Sequence, residues 1–184
     1  MSHYFKNDEK LDHQIKSYDV NISGTSFRFY TDLGVFSKQR LDLGTQIMLE
    51  NIYIPKQSKT IIDMGCGYGP IGIYIAKTYP STHVYLYDVN ERALTLAKKN
   101  TEENNVSNIT VSKSYLFDHV NIKADVILSN PPIRAGKEII FSLYEGAHHA
   151  LEASGLLYVI IQKKQGAPST KAKLETLFKH VEVT

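Results

Sequence analysis

The spacing of apolar residues changes period along this 184-residue chain. In "YDVNISGTSFRFYTDLGVFS", apolar and polar positions alternate on both sides of Ser23-Gly24-Thr25, the signature of two strands joined by a tight turn. The next stretch, "KQRLDLGTQIMLENIYI", spaces Leu41, Ile47, Met48, Leu49 and Ile52 roughly as one helical face. Short apolar strands then alternate with helical segments: "KTIIDM", "PIGIYIAKTY", "HVYLYDV", "ERALTLAKKNTEENN", "ITVSKS", "ADVILSN", "KEIIFSLYEGAHHALEA", "GLLYVIIQ" and "KAKLETLFKH". That alternation predicts βαβ units in an α/β fold with a doubly wound, mostly parallel sheet. Residues 1–184 read as one domain, with 1–55 an N-terminal hairpin-and-helix cap and 56–184 the core. After the last helix only "VEVT" remains, enough to begin a sixth core strand, so a final antiparallel strand is expected to be missing. An edge left open in this way is expected to lower stability relative to a form extended by another strand.

Composition changes this picture little. A hydrophobic share of 42% and a charged share of 22% suit a soluble globular protein. Cys66 is the only cysteine, so no intramolecular disulfide can form and a reducing cytosol is tolerated. The longest apolar run, "LLYVII", is far short of a membrane span, and "MSHYFKNDEK" lacks the apolar core of a signal peptide. A cytoplasmic location without membrane contact is the expectation, and oligomeric state is not readable. The net charge of +2 neither demands nor opposes a nucleic-acid partner.

Chemistry concentrates in two loops. "IIDMGCGYGP" places Gly65, Gly67 and Gly69 directly after the first core strand, where glycine lets a ligand approach the backbone. Pro70 stands where a dinucleotide fingerprint has its third glycine, and no Lys-Ser/Thr pair follows, so neither dinucleotide nor phosphate-loop binding is met. Asp63 at the strand end would repel a pyrophosphate but suits a ligand bearing an ammonium and a sulfonium. Asp88, ending the next strand, can accept from both ribose hydroxyls. The plainer alternatives are that Asp63 caps the following helix and Asp88 is a loop acid. Cys66 reads as a small residue in a tight turn.

The second loop is "SNPPIRAGK". Prolines remove N–H donors, so Asn130-Pro131-Pro132 leaves an array of acceptors, the Asn130 side-chain oxygen and the Pro131 carbonyl. Such an array fits a planar –NH2, and Asn130 would orient it without acting as a base. In the commonest winding this loop, after the fourth core strand, lies beside the glycine turn at the switch point. The plainer alternative is a turn that only terminates a strand. Elsewhere "KKQGAPSTKAK" reads as a basic loop on the same rim, with RNA phosphate contact or ordinary solvation both open, and "KKNTEENN" as a solvated helix end. His148-His149 lack partners at metal-ligand spacing.

Nearly the whole chain resembles the small-domain class I methyltransferases, Rossmann-like enzymes, of the single-domain branch that modifies guanine N2 in small-subunit (16S) ribosomal RNA. The resemblance rests on "GVFSKQRLDLGTQIML", "IIDMGCGYGPIGI", "YDVNERAL" and "SNPPIRAGK". It implies an S-adenosylmethionine-dependent N-methyltransferase acting on ribosomal RNA or the small subunit, with no metal. Asp63, Gly65, Gly67 and Gly69 would line the methionine end of the cofactor, Asp88 would hold its ribose with Asn90 at the same loop, and Phe36 would close the pocket or merely plug cap against sheet. Asn130 and Pro131 would grip the guanine amine, with Pro132, Ile133, Arg134 and Lys137 on the substrate side. Ile133 departs from the aromatic residue many amino-methyltransferases carry there, and "SKSYLFD" lacks the usual partner for the adenine amine, a place Ser114 or Tyr115 could fill. Methylation of adenine N6 or a protein glutamine, or a non-catalytic cofactor- or RNA-binding role, are the alternatives.

Overall fold

Strands β1 (Lys16–Ile22) and β2 (Thr25–Thr31) pair antiparallel around Ser23 and Gly24, whose φ angles of 48° and 84° make the turn that matches strand twist. In the computed structural model, which describes residues 14–32, 40–132 and 135–183, this hairpin is a separate two-stranded sheet. Its inner face carries Ile22, Phe27 and Phe29, all buried, and Phe27 and Phe29 stack with ring centres 5.9 Å apart.

The main sheet holds β3 (Thr60–Met64), β4 (His83–Asp88), β5 (Ile109–Lys113), β6 (Ala124–Ser129) and β7 (Leu151–Val159). All neighbours run parallel in the order β5-β4-β3-β6-β7, as the alternating pattern predicts. Helices α1 (Leu43–Asn51), α2 (Pro70–Thr78), α3 (Glu91–Glu103), α4 (Lys137–Ala150) and α5 (Ala167–Glu175) flank it. Because side chains alternate along a strand, Ile61, Val84, Leu86, Val126 and Leu128 join one core with the hairpin, α1, α2 and α3. Ile62, Met64, Tyr87 and Ile127 join the other with α4 and α5. Winding reverses at β3, so the crevice beyond the carboxyl ends of β3 and β6 is where such a sheet binds ligands. Among the described residues no strand pairs the outer side of β7, and residues 181–183 form none.

Four sequence expectations change. Ile47 does not share the buried face of α1; it is 48% exposed and Leu43, one turn before it, is 71% exposed, because both border an open crevice. "LEA" belongs to β7, not to α4, since Leu151 is already extended and pairs with Ala124 across a local register shift. "KKQGAPSTKAK" is a loop only in part: a 3-10 turn (Lys163–Gln165) leads to Gly166 at φ 109°, and Pro168 sits in the first turn of α5. "KKNTEENN" is not merely solvated, because Asn100 and Asn104 are buried. One turn apart, in the last turn of α3 and at its C-cap, they clasp the free edge of β2. Asn100 accepts from Tyr30 N–H (2.7 Å) and donates to Tyr30 O (3.0 Å). Asn104 accepts from Arg28 N–H (3.1 Å) and donates to Arg28 O (2.8 Å).

Candidate active site

The turn from β3 into α2 folds back on β4. Gly65 and Cys66 donate their N–H groups to the Tyr87 carbonyl at 2.8 and 3.0 Å. Gly65, Gly67 and Gly69 take φ of 73°, 57° and 91°, a region side chains rarely adopt. Around Gly65 and Gly67 nothing lies within 4 Å of where a Cβ would stand, so the turn presents bare backbone to open space. The hairpin and α3 hold it from behind: Tyr18 and Tyr68 hydroxyls meet at 2.7 Å, and Asn100 donates to Tyr68 O at 2.9 Å.

Both predicted acids flank this turn in different ways. Asp88 Oδ2 accepts the Gly67 N–H (2.8 Å) and Oδ1 the Asn90 N–H (2.9 Å), so its carboxylate bridges the two loops. Burial raises its pKa, opposed by the N–H groups of Asn90, Gly67 and Val89. Asp63 is fully buried; its Oδ2 accepts the Gly72 N–H (2.9 Å) in the first turn of α2, which is the capping role. Its Oδ1 is buried without a hydrogen-bond partner among the described residues. Burial pushes the Asp63 carboxyl up to about 7; the Gly72 N–H opposes the shift and Asp88 adds to it. Burial also pushes the Cys66 thiol well above its usual value, with Asp88 and Asp63 adding to the shift, which disfavours the thiolate.

Opposite stands the Asn130-Pro131-Pro132 corner at the end of β6. Ser129 anchors it by donating to the Met64 carbonyl at 2.8 Å. The Asn130 side chain reaches across to the start of α1, donating from Nδ2 to Asp42 Oδ1 (3.1 Å) and to Thr45 Oγ1 (3.0 Å). Asp42 Oδ1 also accepts the Thr45 N–H (3.1 Å), as an N-cap. None of Asp42, Gly44 and Thr45 was singled out from the sequence. The Asp N-cap before an apolar run was legible in "LDLGT", but its partner lies 88 residues on.

Two cavities meet at this corner. One is apolar, walled by Met64, Val89, Leu116, Ile140 and Leu143, with Asp88 at its edge. The other is an open cleft of about 1990 Å³, solvent-exposed space included, between α1, the glycine turn, the end of β7 and α5. Gly65, Pro131 and Pro132 line both, so a ligand spanning the two has its middle between the glycine turn and the corner. Of the predicted residues, Gly65, Gly67, Asp88, Asn130, Pro131 and Pro132 line these cavities. Gly69 shapes the start of α2, and Asn90 Oδ1 caps α3 by accepting from Arg92 and Ala93 N–H groups. Lys137 opens α4 and lies 5.1 Å from the Phe141 ring centre, outside both cavities. Phe36, Ile133 and Arg134 lie outside the described residues. Ser114 and Tyr115 line the apolar cavity, but the Ser114 hydroxyl is engaged with Leu116 O (2.7 Å) and the His119 N–H (3.3 Å).

Both the sequence and the fold have known relatives. The family described as "Methyltransferase small domain" matches residues 26–184. The chain is 39% identical over 183 residues to "Uncharacterized protein YbxB" of Bacillus subtilis (strain 168), covering 98% of this chain and 91% of that protein. It is 36% identical to ribosomal RNA small subunit methyltransferase C of Psychromonas ingrahamii, over 71% of this chain and 37% of that one. Identity to ribosomal RNA large subunit methyltransferase G of Shewanella loihica is 31%, over 91% of this chain and 42% of that one. The chain thus spans less than half the length of either named enzyme. Among solved structures, the T. thermophilus 16S rRNA N2 G1207 methyltransferase (RsmC), in complex with AdoMet and guanosine, superposes with a TM-score of 0.78. That match, at 18% identity over 90% of this chain and 46% of the other, shows a shared fold.

Proposed function

The chain belongs to the methyltransferase small domain family, whose members use S-adenosylmethionine, and from that premise we propose that it methylates the exocyclic N2 amine of a guanine in small-subunit ribosomal RNA. Similarity to enzymes named for both ribosomal subunits supports ribosomal RNA as the substrate class. The "GVFS" and "SNPPIRAGK" segments support guanine within it. The observation that carries the reading is the Asn130-Pro131-Pro132 corner facing the bare glycine turn where the two cavities join.

The residues fit the donor. The bare backbone at Gly65 and Gly67 would carry its methionine end, with Gly69 shaping the turn behind them. Asp88, at the edge of the apolar cavity, would take the ribose, with Asn90 fixing that loop and Phe36 closing the pocket from the N-terminal side. When bound, S-adenosylmethionine supplies a methyl group made electrophilic by its sulfonium. Asn130 Oδ1 and the Pro131 carbonyl would accept the two amine hydrogens and aim the nitrogen lone pair across the junction. Pro132, Ile133 and Arg134 would frame the base, and Lys137, outside both cavities, would meet only its backbone. An exocyclic amine is a poor nucleophile because its lone pair is delocalised, and holding it in line can lower the barrier by about 7–11 kcal/mol in ideal geometry. The methylated nitrogen must shed one proton; an amide cannot take it, so it leaves to solvent through the open cleft.

Incubation with labelled cofactor and naked ribosomal RNA, assembled small subunits, large-subunit RNA or bulk protein tests the target. Label on a small-subunit guanine is the expected result. Label on large-subunit RNA, adenine or protein would replace the substrate named here. In Asn130→Ala, methyl transfer is expected to fall at least a hundredfold while cofactor affinity stays within about twofold. Retained turnover would remove Asn130 from the chemistry.

A further inference from the structure

We propose that Asp42 and Thr45, at the first turn of α1, are positioning residues that lock the Asn130 amide with its oxygen toward the substrate. The inference rests on the reading of Asn130 as the grip on a planar amine. A primary amide offers two N–H donors on one side and an oxygen acceptor on the other, and rotation by half a turn exchanges them. With the wrong face forward, Asn130 would present hydrogens to an amine that itself donates. The sequence of Asn130 alone does nothing to prevent that.

The structure shows what prevents it. Asp42 Oδ1 lies 3.1 Å from Asn130 Nδ2, and a carboxylate can only accept, so the side of the amide facing α1 must be its NH2. The second donor goes to Thr45 Oγ1 at 3.0 Å. Among the described residues Oδ1 accepts no hydrogen bond, and Asn130 lines the cleft, so its oxygen remains for a ligand. Donation into a carboxylate also polarises the amide and strengthens that oxygen as an acceptor.

Helix capping does not account for these contacts. Capping needs only the Thr45 N–H to Asp42 Oδ1 bond; the Thr45 hydroxyl adds nothing to the helix, yet it faces Asn130 within a buried residue. Gly44 lets the helix come this close. A Cβ there would stand 2.8 Å from Ile160 Cγ2, 3.2 Å from Asp42 Oδ1 and 3.7 Å from Asn130 Nδ2.

The test combines a spectroscopic and a kinetic readout. The Asn130 side-chain amide resonances are assigned as the pair missing in Asn130→Ala. In Thr45→Val, which keeps shape but removes the acceptor, that pair is expected to shift and its exchange with solvent to accelerate at least tenfold. Turnover at saturating cofactor is expected to fall ten- to a hundredfold in Thr45→Val and in Asp42→Ser, which keeps a capping hydroxyl but loses the carboxylate. Cofactor affinity should stay within twofold, Thr45→Ser should recover most of the loss, and Thr45→Val in an Asn130→Ala background should cost nothing further. An unmoved amide pair, a parallel loss of cofactor affinity, or an undiminished Thr45→Val penalty in Asn130→Ala would overturn the proposal. If wild type labels no guanine while the amide pair still responds to Thr45, the substrate reading falls and the clamp stands.

Discussion

At Asp63 the cost of burying a carboxylate is set against one backbone N–H, from Gly72, and among the described residues one oxygen is left without a partner. The consequence is a folded-state pKa raised to about 7 from an ordinary 3.8. The sign follows from proton linkage: the folded chain holds this proton more tightly than the unfolded chain, so ionising it costs stability. Stability should therefore decline as pH rises from about 4 through about 7 and level off above, in the protein without ligand. An asparagine at this position would accept the Gly72 N–H without titrating, so Asp63→Asn is expected to flatten that decline in urea melts taken at several pH values. An equal slope in both proteins would assign it to other groups. A cation placed on the glycine turn lowers the pKa of a carboxyl behind it. Binding of S-adenosylmethionine near pH 7 is thus expected to release protons from wild type and fewer from Asp63→Asn, as titration calorimetry in buffers of different ionisation enthalpy would record.

Between elements, stability and the site share the same contacts. The Asn100 side chain on α3 makes three hydrogen bonds, two to Tyr30 of β2 and one to the Tyr68 carbonyl in the glycine turn. Asn100→Ala strands those buried groups and is expected to cost about 3 kcal/mol in denaturant unfolding. It should also weaken cofactor binding, because the turn loses a support. Asn104 holds Arg28 and the Asn100 carbonyl but makes no bond to the turn itself, so Asn104→Ala should cost stability and lower affinity far less than Asn100→Ala. Matching affinity losses in the two variants would mean that the turn answers only to general loosening. This division of labour explains what could be read from the chain. Strand and helix existence was legible because alternation and helical spacing are local, and the neighbouring placement of β3 and β6 followed from winding rules. The hairpin turn was legible because Ser23-Gly24 sits between alternating runs. The asparagines of "KKNTEENN" and the α1 contacts to Asn130 were not, since both depend on side chains that meet only after folding. Composition argues that polar residues beside lysines and glutamates are solvated; only the docking of β2 on α3 makes Asn100 and Asn104 interior. The face of α1 was misjudged for a related reason, because Leu43 and Ile47 border the cleft.

Across the whole molecule a net charge of +2 supplies little attraction for a polyanion, so any hold on RNA depends on where cations stand relative to the cleft. The four lysines of "KKQGAPSTKAK" divide into two pairs. Lys171, which lines the cleft, stands 3.7 Å from Glu175, and Lys173 pairs with Glu145, so half of the apparent basic run has acids of α5 and α4 beside it. Lys163 and Lys164 are exposed, have no ion pair among the described residues, and follow directly on Gln162, which lines the cleft. Phosphates of an RNA whose base enters the cleft would pass this rim. Each neutralised phosphate contributes about 0.7–0.9 to the slope of log affinity against log salt. Replacing Lys163 and Lys164 by Ala is therefore expected to weaken RNA binding and reduce that slope by about 1.5, without altering cofactor affinity. The same change at Lys171 and Lys173 should reduce it less, because each of those charges already has an acid beside it. Equal effects from the two pairs, or none from either, would place the RNA path on another face of the molecule.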